Sequence, residues 1–236
     1  MKERPILFSG PMVRAIIEGR KTVTRRIAKP VRHPDLGNIY TPGALVLESE
    51  PQHVIDRVCP YGQPGDRLWV REAWGIDMLG AHSTDNGYDS MYALRYRADD
   101  AEREIHVAPG EPDPYLKLYD NQRGDWRPSI HMPRWASRIL LEITAVRVER
   151  LQAISEEQAL AEGLARVTKD GALFKHGIPE RDGLPGTAEA AWPWQEWEAD
   201  PRKAFAKLWA GINGTGSWAA NPWVWAVEFK RVRAIG

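Results

Sequence analysis

Apolar, β-prone runs in this chain are short, and proline or glycine interrupts the connections between them before a long crossover helix can follow. Ile6-Leu7-Phe8, Arg67 to Glu72, Met91 to Arg97, Arg138 to Val148 and Trp223 to Phe229 read as strands. The last of these alternates Trp223, Trp225, Val227 and Phe229, the period of two expected of a half-buried strand. Without a strand–helix–strand rhythm, a doubly wound parallel sheet is disfavoured and a mixed or antiparallel sheet is expected. Curling such a sheet on itself leaves few free edges. The expected class is therefore α+β: one twisted mixed β-barrel with flanking short helices and long loop insertions. Residues 1–27 and 222–232 should contribute to the same sheet.

Three helices are legible. Ser9-Gly10-Pro11 puts a proline near the first helical position, Met12/Ile16 and Val13/Ile17 pair at i,i+4, and Gly19 supplies a left-handed stop. Ser155-Glu156-Glu157-Gln158 has the form of a capping box opening a short helix that stops at Gly163. Phe205, Leu208, Trp209 and Ile212 stand at i, i+3, i+4, i+7 and predict an amphipathic helix over 201–212. Residues 28–64 read as turn-rich, 75–90 as loop, 98–130 as broken by proline and glycine, and 165–199 as a loop-rich insertion.

Formal net charge is zero, which argues against a dedicated non-specific duplex binder, but the charge is uneven. Residues 1–32 hold nine Lys/Arg against two acids, whereas 165–200 hold seven acids against four Lys/Arg. A basic site in a neutral protein suits a nucleotide or a short single strand, and a solvated basic face has the same composition. The single cysteine, Cys59, excludes an internal disulfide framework, and the six histidines show no HExxH or paired Cys/His spacing. No metal and no cofactor is expected. The first apolar run is too short for a signal peptide, and none approaches the roughly 18 apolar residues of a membrane helix. A cytoplasmic location, with no membrane partner and no obligate protein partner, is expected.

Lys21 follows the helix stop at the start of a β-prone segment. Beside Arg20, Arg25 or Arg26 it feels like charges, which move an ammonium towards the base form. A hydroxyl from Thr22 or Thr24 near a deprotonated lysine is a candidate nucleophile. Strict alternation separates Lys21 from Thr24 unless Lys21 precedes the regular strand. Surface lysines and β-forming threonines fit the same pattern. Glu162 sits at a helix C-terminus, where the dipole disfavours a negative charge, and so is either exposed or placed to meet a cation. Glu72, next to Arg71 and flanked by Trp69 and Trp74, is a second candidate pocket acid, with a structural salt bridge as the alternative. Trp69, Trp74 and Trp135 suit base stacking or core packing. No P-loop, dinucleotide GxGxxG or serine-hydrolase elbow is present.

The Gly19-Arg20-Lys21-Thr22-Val23-Thr24-Arg25-Arg26 stretch resembles the GxKxxxxR-type loop of the ASCH domain, a family of the PUA-like β-barrel superfamily. The Gly65-Asp66 strand approach, Arg138–Val148, Leu151–Leu164 and Trp223–Phe229 come in the family's order. Relative to small members, 28–64, 73–134 and 165–199 are insertions in a single domain spanning 1–236, as in larger phage- and prophage-associated members. The resemblance implies binding of a nucleoside, nucleotide or short single-stranded RNA in a barrel cleft. A small bacterial member removes the acetyl group from N4-acetylcytidine with a lysine, a threonine and a glutamate. That activity implies Lys21 as base, Thr24 as nucleophile and Glu162 as acid or positioning group, with Arg20, Arg25, Arg26, Trp69, Arg71, Glu72 and Trp74 as substrate-binding candidates. Other members imply a non-catalytic RNA or modified-base reader, or a ribonuclease. A phage structural role is a third class, but its sign, an extended repeat or arm, is missing from the sequence.

Overall fold

The strands that the sequence spaces furthest apart meet in one sheet. The computed structural model describes residues 1–232, with Glu189 described by its backbone alone. In chain order the elements are β1 (Glu3–Leu7), α1 (Gly10–Ile17), β2 (Val23–Ile27), β3 (Val31–Arg32), β4 (Ile39–Tyr40), α2 (Pro42–Leu47), α3 (Gln52–Val58), β5 (Arg67–Arg71), β6 (Trp74–Thr84), β7 (Gly87–Tyr96) and β8 (Ala101–Val107). They continue with α4 (Pro114–Asp120), β9 (Leu140–Arg150), α5 (Glu156–Ala161), β10 (Ala165–Thr168), β11 (Phe174–Gly177), α6 (Pro201–Asn213) and β12 (Trp223–Val232).

The main sheet has the order β1-β5-β9-β12-β2. Only β1 and β5 run parallel; the other neighbours are antiparallel. Both chain ends thus share one mixed sheet, as the strand pattern predicts. Its inner face carries the main core, with Val13, Leu68, Leu141, Val224 and Val227 at most 1% exposed. Each such side chain contributes about 1.5–3 kcal/mol relative to leaving it in water. The sheet is not a closed barrel: β1 and β2 are its two edges, and no ladder joins them among the described residues. One side-chain bond links them, from Arg26 Nη2 to the carbonyl of Leu7 at 2.7 Å. A cavity lined by the end of β1 and by β2 occupies the place between these edges.

Residues 73–134 are more ordered than a loop insertion. They form a three-stranded antiparallel sheet, β6-β7-β8, over a second hydrophobic cluster around Trp74, Ile76, Tyr92, Leu94, Tyr96 and Met132. The expected loop at 75–90 is the β6–β7 hairpin, with Thr84 paired to Gly87 across Asp85-Asn86. Its outer half, from Ala81 to Asp89, is largely exposed, so no apolar alternation marks it as strand. In 28–64, the prolines read as turns instead open helices: Pro42 begins α2 and Pro51 is the N-cap of α3. A proline at a helix start loses no hydrogen bond, because that N–H has no partner within the helix. Residues 165–199 contain the β10–β11 hairpin, packed under Trp197, which is 1% exposed.

Candidate functional site

Lys21 is held by its own backbone before its side chain is considered. After α1, Gly19 takes φ 79°, a left-handed turn open to glycine, and the chain reverses. Lys21 N–H then donates to Ala15 O at 3.0 Å, and Thr22 N–H donates to Ala161 O at 2.9 Å. Lys21 forms an isolated bridge with Glu162 and lies ahead of β2, which begins at Val23. The alternation that separates Lys21 from Thr24 therefore does not apply.

Glu162 is the C-cap residue of α5, and the capping box at the other end of that helix forms as the sequence predicts. Gly163 next to it has φ 104°, and a β-carbon there would lie 2.9 Å from Ala15 Cβ and 3.2 Å from Lys21 Cβ. Both the backbone angle and the close approach require glycine at this position.

The charged groups meet in one buried cluster. Lys21 Nζ donates to Val23 O at 2.8 Å, to Glu162 O at 2.9 Å and to Glu162 Oε2 at 2.7 Å. The three contacts match the three N–H groups of an ammonium. Burial pushes it below its ordinary value of 10.5; Glu162 acts in the opposite direction, and Arg26 and Arg25 add to the fall. Glu162 Oε1 accepts from Arg25 Nη1 at 3.1 Å, while Arg25 Nη2 donates to Glu149 Oε1 at 2.7 Å and to Gln158 Oε1 at 3.0 Å. Two cations face two carboxylates, which offsets the unfavourable end of the α5 dipole at Glu162.

A cavity of about 170 Å³ opens onto this cluster. Lys21, Thr24, Arg25, Arg26 and Glu162 all line it. Thr24 is buried on β2, and its hydroxyl makes no hydrogen bond to the described residues. Phe8 forms another wall, its ring centroid 5.6 Å from Lys21 Nζ and 5.4 Å from the Arg26 guanidinium carbon. On the far side stand Phe205, Leu208 and Trp209 from α6. Two lining residues carry buried N–H groups without partners among the described residues, Arg26 Nε and Trp209 Nε1. An unpaired buried donor costs about 1–3 kcal/mol, which a ligand oxygen would recover only where a side-chain shift brings that N–H to the cavity. Hydroxyl, free donors and an ammonium–carboxylate pair suit a part-apolar ligand that carries a carbonyl or similar acceptor.

Five other candidates lie outside the lining. Arg20 bonds Glu18 Oε2 at 2.7 Å and the Gly163 carbonyl, bracing the turn from outside. The Arg71 guanidinium covers the Trp69 ring at 4.7 Å and donates to Ile130 O at 3.2 Å. Glu72 does not share a concavity with Lys21: it is 1% exposed and bonded at both oxygens by Arg138, at 2.9 and 2.8 Å. Trp74 is fully buried in the second cluster, edge-on to Trp135. The residues that sequence reading leaves out of the site are Phe8, Met12 and the α6 wall. The Phe205–Ile212 stripe is legible, but as a core-facing pattern with no sign of a cavity.

Among the described residues, no three His, Cys, Asp or Glu side chains stand together so as to hold a metal ion. No helix there is long and apolar enough to cross a membrane. No protein-family model, curated protein or solved structure matches this chain.

Proposed function

We propose that this chain is an ASCH-like hydrolase of an exocyclic amide on a pyrimidine nucleoside, N4-acetylcytidine being its simplest substrate. One observation carries the reading: the buried 2.7 Å Lys21–Glu162 pair shares a cavity with the unbonded hydroxyl of Thr24. Amide hydrolysis needs a nucleophile, a proton acceptor and a donor for the leaving amine. The direct salt bridge to Glu162 counts against Lys21 as a resting base, because the carboxylate favours the ammonium. Moving its proton to Glu162 gives a neutral amine and a neutral acid, which relieves the desolvation of both groups but gives up their attraction and that of Arg25 for Glu162. The amine then takes the Thr24 proton as Oγ1 attacks the acyl carbon, and Glu162 returns a proton to the departing nitrogen. Water hydrolyses the resulting acyl-threonine ester and releases the carboxylate. Arg26 Nε and Trp209 Nε1 are the candidate donors to the oxyanion.

A second reading has its own support. The three filled acceptor positions around Lys21 Nζ also describe a rigid structural ammonium. A modified-base reader without chemistry needs nothing more of it. Acetate release from N4-acetylcytidine by the intact protein and by Lys21→Ala, Thr24→Ala and Glu162→Ala separates the two. Turnover lost in the variants with fold and ligand binding retained supports the hydrolase; binding without turnover by the intact protein supports the reader.

A further inference from the structure

A larger groove opens beside the candidate site. Its volume is about 650 Å³, and it shares Ser9, Met12, Leu208 and Ile212 with the smaller cavity, so the two lie side by side against α6. Its walls are largely apolar, with Pro11, Ile178, Trp192 and Leu208 among them. Among the described residues, Lys207 is its one charged lining residue, and that ammonium is already engaged. It donates to Glu196 O at 3.0 Å and Glu196 Oε2 at 2.6 Å, and lies 4.7 Å from the Trp192 ring centroid. Side-chain hydroxyls come only from Ser9 and Thr215. Phosphates and sugars are held by several charged and hydrogen-bonding groups, and the described lining of this groove offers few. Where cavity and groove meet, Ile212 leaves 63% of its surface uncovered, an aliphatic side chain awaiting an apolar neighbour.

We propose that the groove holds the acyl chain of the substrate, so that the preferred amide carries a medium-length apolar acyl group instead of acetyl. The inference rests on the amide-hydrolase reading. Thr24 Oγ1 bonds to the acyl carbon, the C–N bond breaks, and the amine departs with the proton relayed through Glu162. The chain stays in the groove as the threonine ester until water releases it as a carboxylate. The polar cavity then reads the nucleoside amide, and the groove reads chain length.

Gly211 makes this testable. It lines the groove from α6, and a β-carbon there meets nothing within 4 Å, so Gly211→Phe enters open space from an ordinary helical backbone. The probes are the N4-acetyl, butanoyl, hexanoyl and octanoyl derivatives of cytidine. Expected is a kcat/KM that rises roughly threefold per methylene up to hexanoyl, with Gly211→Phe flattening the series while its circular dichroism matches the parent. Turnover of the acetyl compound with a flat or falling series overturns the chain-length inference and leaves the hydrolase reading standing. If no compound is turned over, the hydrolase reading fails, and calorimetry with the same compounds decides the groove. Affinity that climbs with chain length and is lost in Gly211→Phe supports an apolar-chain site. Chain-independent affinity overturns it, and tight binding of a short single-stranded RNA that Gly211→Phe abolishes assigns the groove to a nucleic-acid strand instead.

Discussion

Among the described residues, the charge clusters around Arg138 and around Lys21 make a contrast: the Lys21 cluster lines a cavity, and the Arg138 cluster closes on itself. Around Arg138, the guanidinium bonds both oxygens of Glu72 and both of Asp99, and lies 4.1 Å from the Tyr96 ring centroid. Burial works against that charge, but the bonds to Glu72 and Asp99 outweigh it and hold Arg138 protonated above its ordinary value. The two carboxyls differ because their burial differs. Desolvation at Glu72 prevails over Arg138 and pushes its carboxyl up, whereas at the more exposed Asp99 the same guanidinium prevails and holds it down. Each guanidinium nitrogen there meets an acceptor, and the cluster ties the end of β5 and the β7–β8 turn to the entry of β9. Around Lys21 the ions are equally well paired, yet the residues lining the space beside them include a threonine with an unbonded hydroxyl and two side chains with an unpaired buried N–H among the described residues. A buried ion pair by itself therefore does not mark a site. Unmatched hydrogen-bonding groups beside a cavity do.

The largest effect expected from this contrast is catalytic. Thr24→Val keeps shape and burial but removes the hydroxyl, and should lower acetate release from N4-acetylcytidine by about a thousandfold or more, with an unchanged melting temperature. Undiminished turnover would place the two clusters on the same structural footing. Next is the clamp. Glu72→Ala leaves Arg138 with Asp99 alone and should cost about 2–3 kcal/mol in urea unfolding, without altering ligand affinity. A Glu72→Ala protein of parental stability that binds ligand poorly would reverse the roles assigned to the clusters.

Trp209→Phe sharpens the contrast through opposite signs. It keeps an aromatic wall while deleting an unpaired buried N–H, so the free protein should unfold no more easily, or resist unfolding by up to about 1 kcal/mol. Ligand affinity should fall roughly tenfold. Loss of both stability and affinity would mean that the indole acts only through packing. The smallest effect is a pH slope. Because Lys21 has its folded pKa lowered, the folded protein releases that proton before the unfolded chain does. The cost of holding the ammonium is full below the folded pKa and is relieved as pH rises from there towards 10.5. Stability relative to Lys21→Met should therefore increase with pH in that window, by at most about 1.4 kcal/mol per pH unit. A difference that stays level up to pH 10.5 would show that Glu162 has cancelled the effect of burial.

Local signals are legible where one element carries its own evidence. The capping box at Ser155 and Gln158, the glycine stop at Gly19 and the Phe205–Ile212 stripe each depend on neighbours within one or two turns. Pro42 and Pro51 mislead because the same residue opens a turn or a helix, and the residues C-terminal to it decide which. β6 escapes a sequence reading because its outer half lies against solvent and needs no apolar alternation. Asp113 before Pro114 is a legible start for α4, since the Asp113 carboxylate accepts from Tyr115 and Leu116 N–H, but the surrounding prolines and glycines obscure it.

The sequence by itself determined the chemistry on offer and its local setting: a lysine after a left-handed glycine, a threonine in a β-prone run, and a carboxylate at the wrong end of a helix dipole. These depend on backbone preferences and charges within a few residues, which the chain order displays directly. Tertiary structure alone decided that Lys21 and Glu162, 141 positions apart, meet at 2.7 Å, and that Glu72 instead closes on Arg138. It also decided that α6 leaves a recess against the end of β1 where the sheet edges stay unjoined. Burial, and with it the direction of each pKa shift, comes from packing between distant segments, which no local spacing encodes.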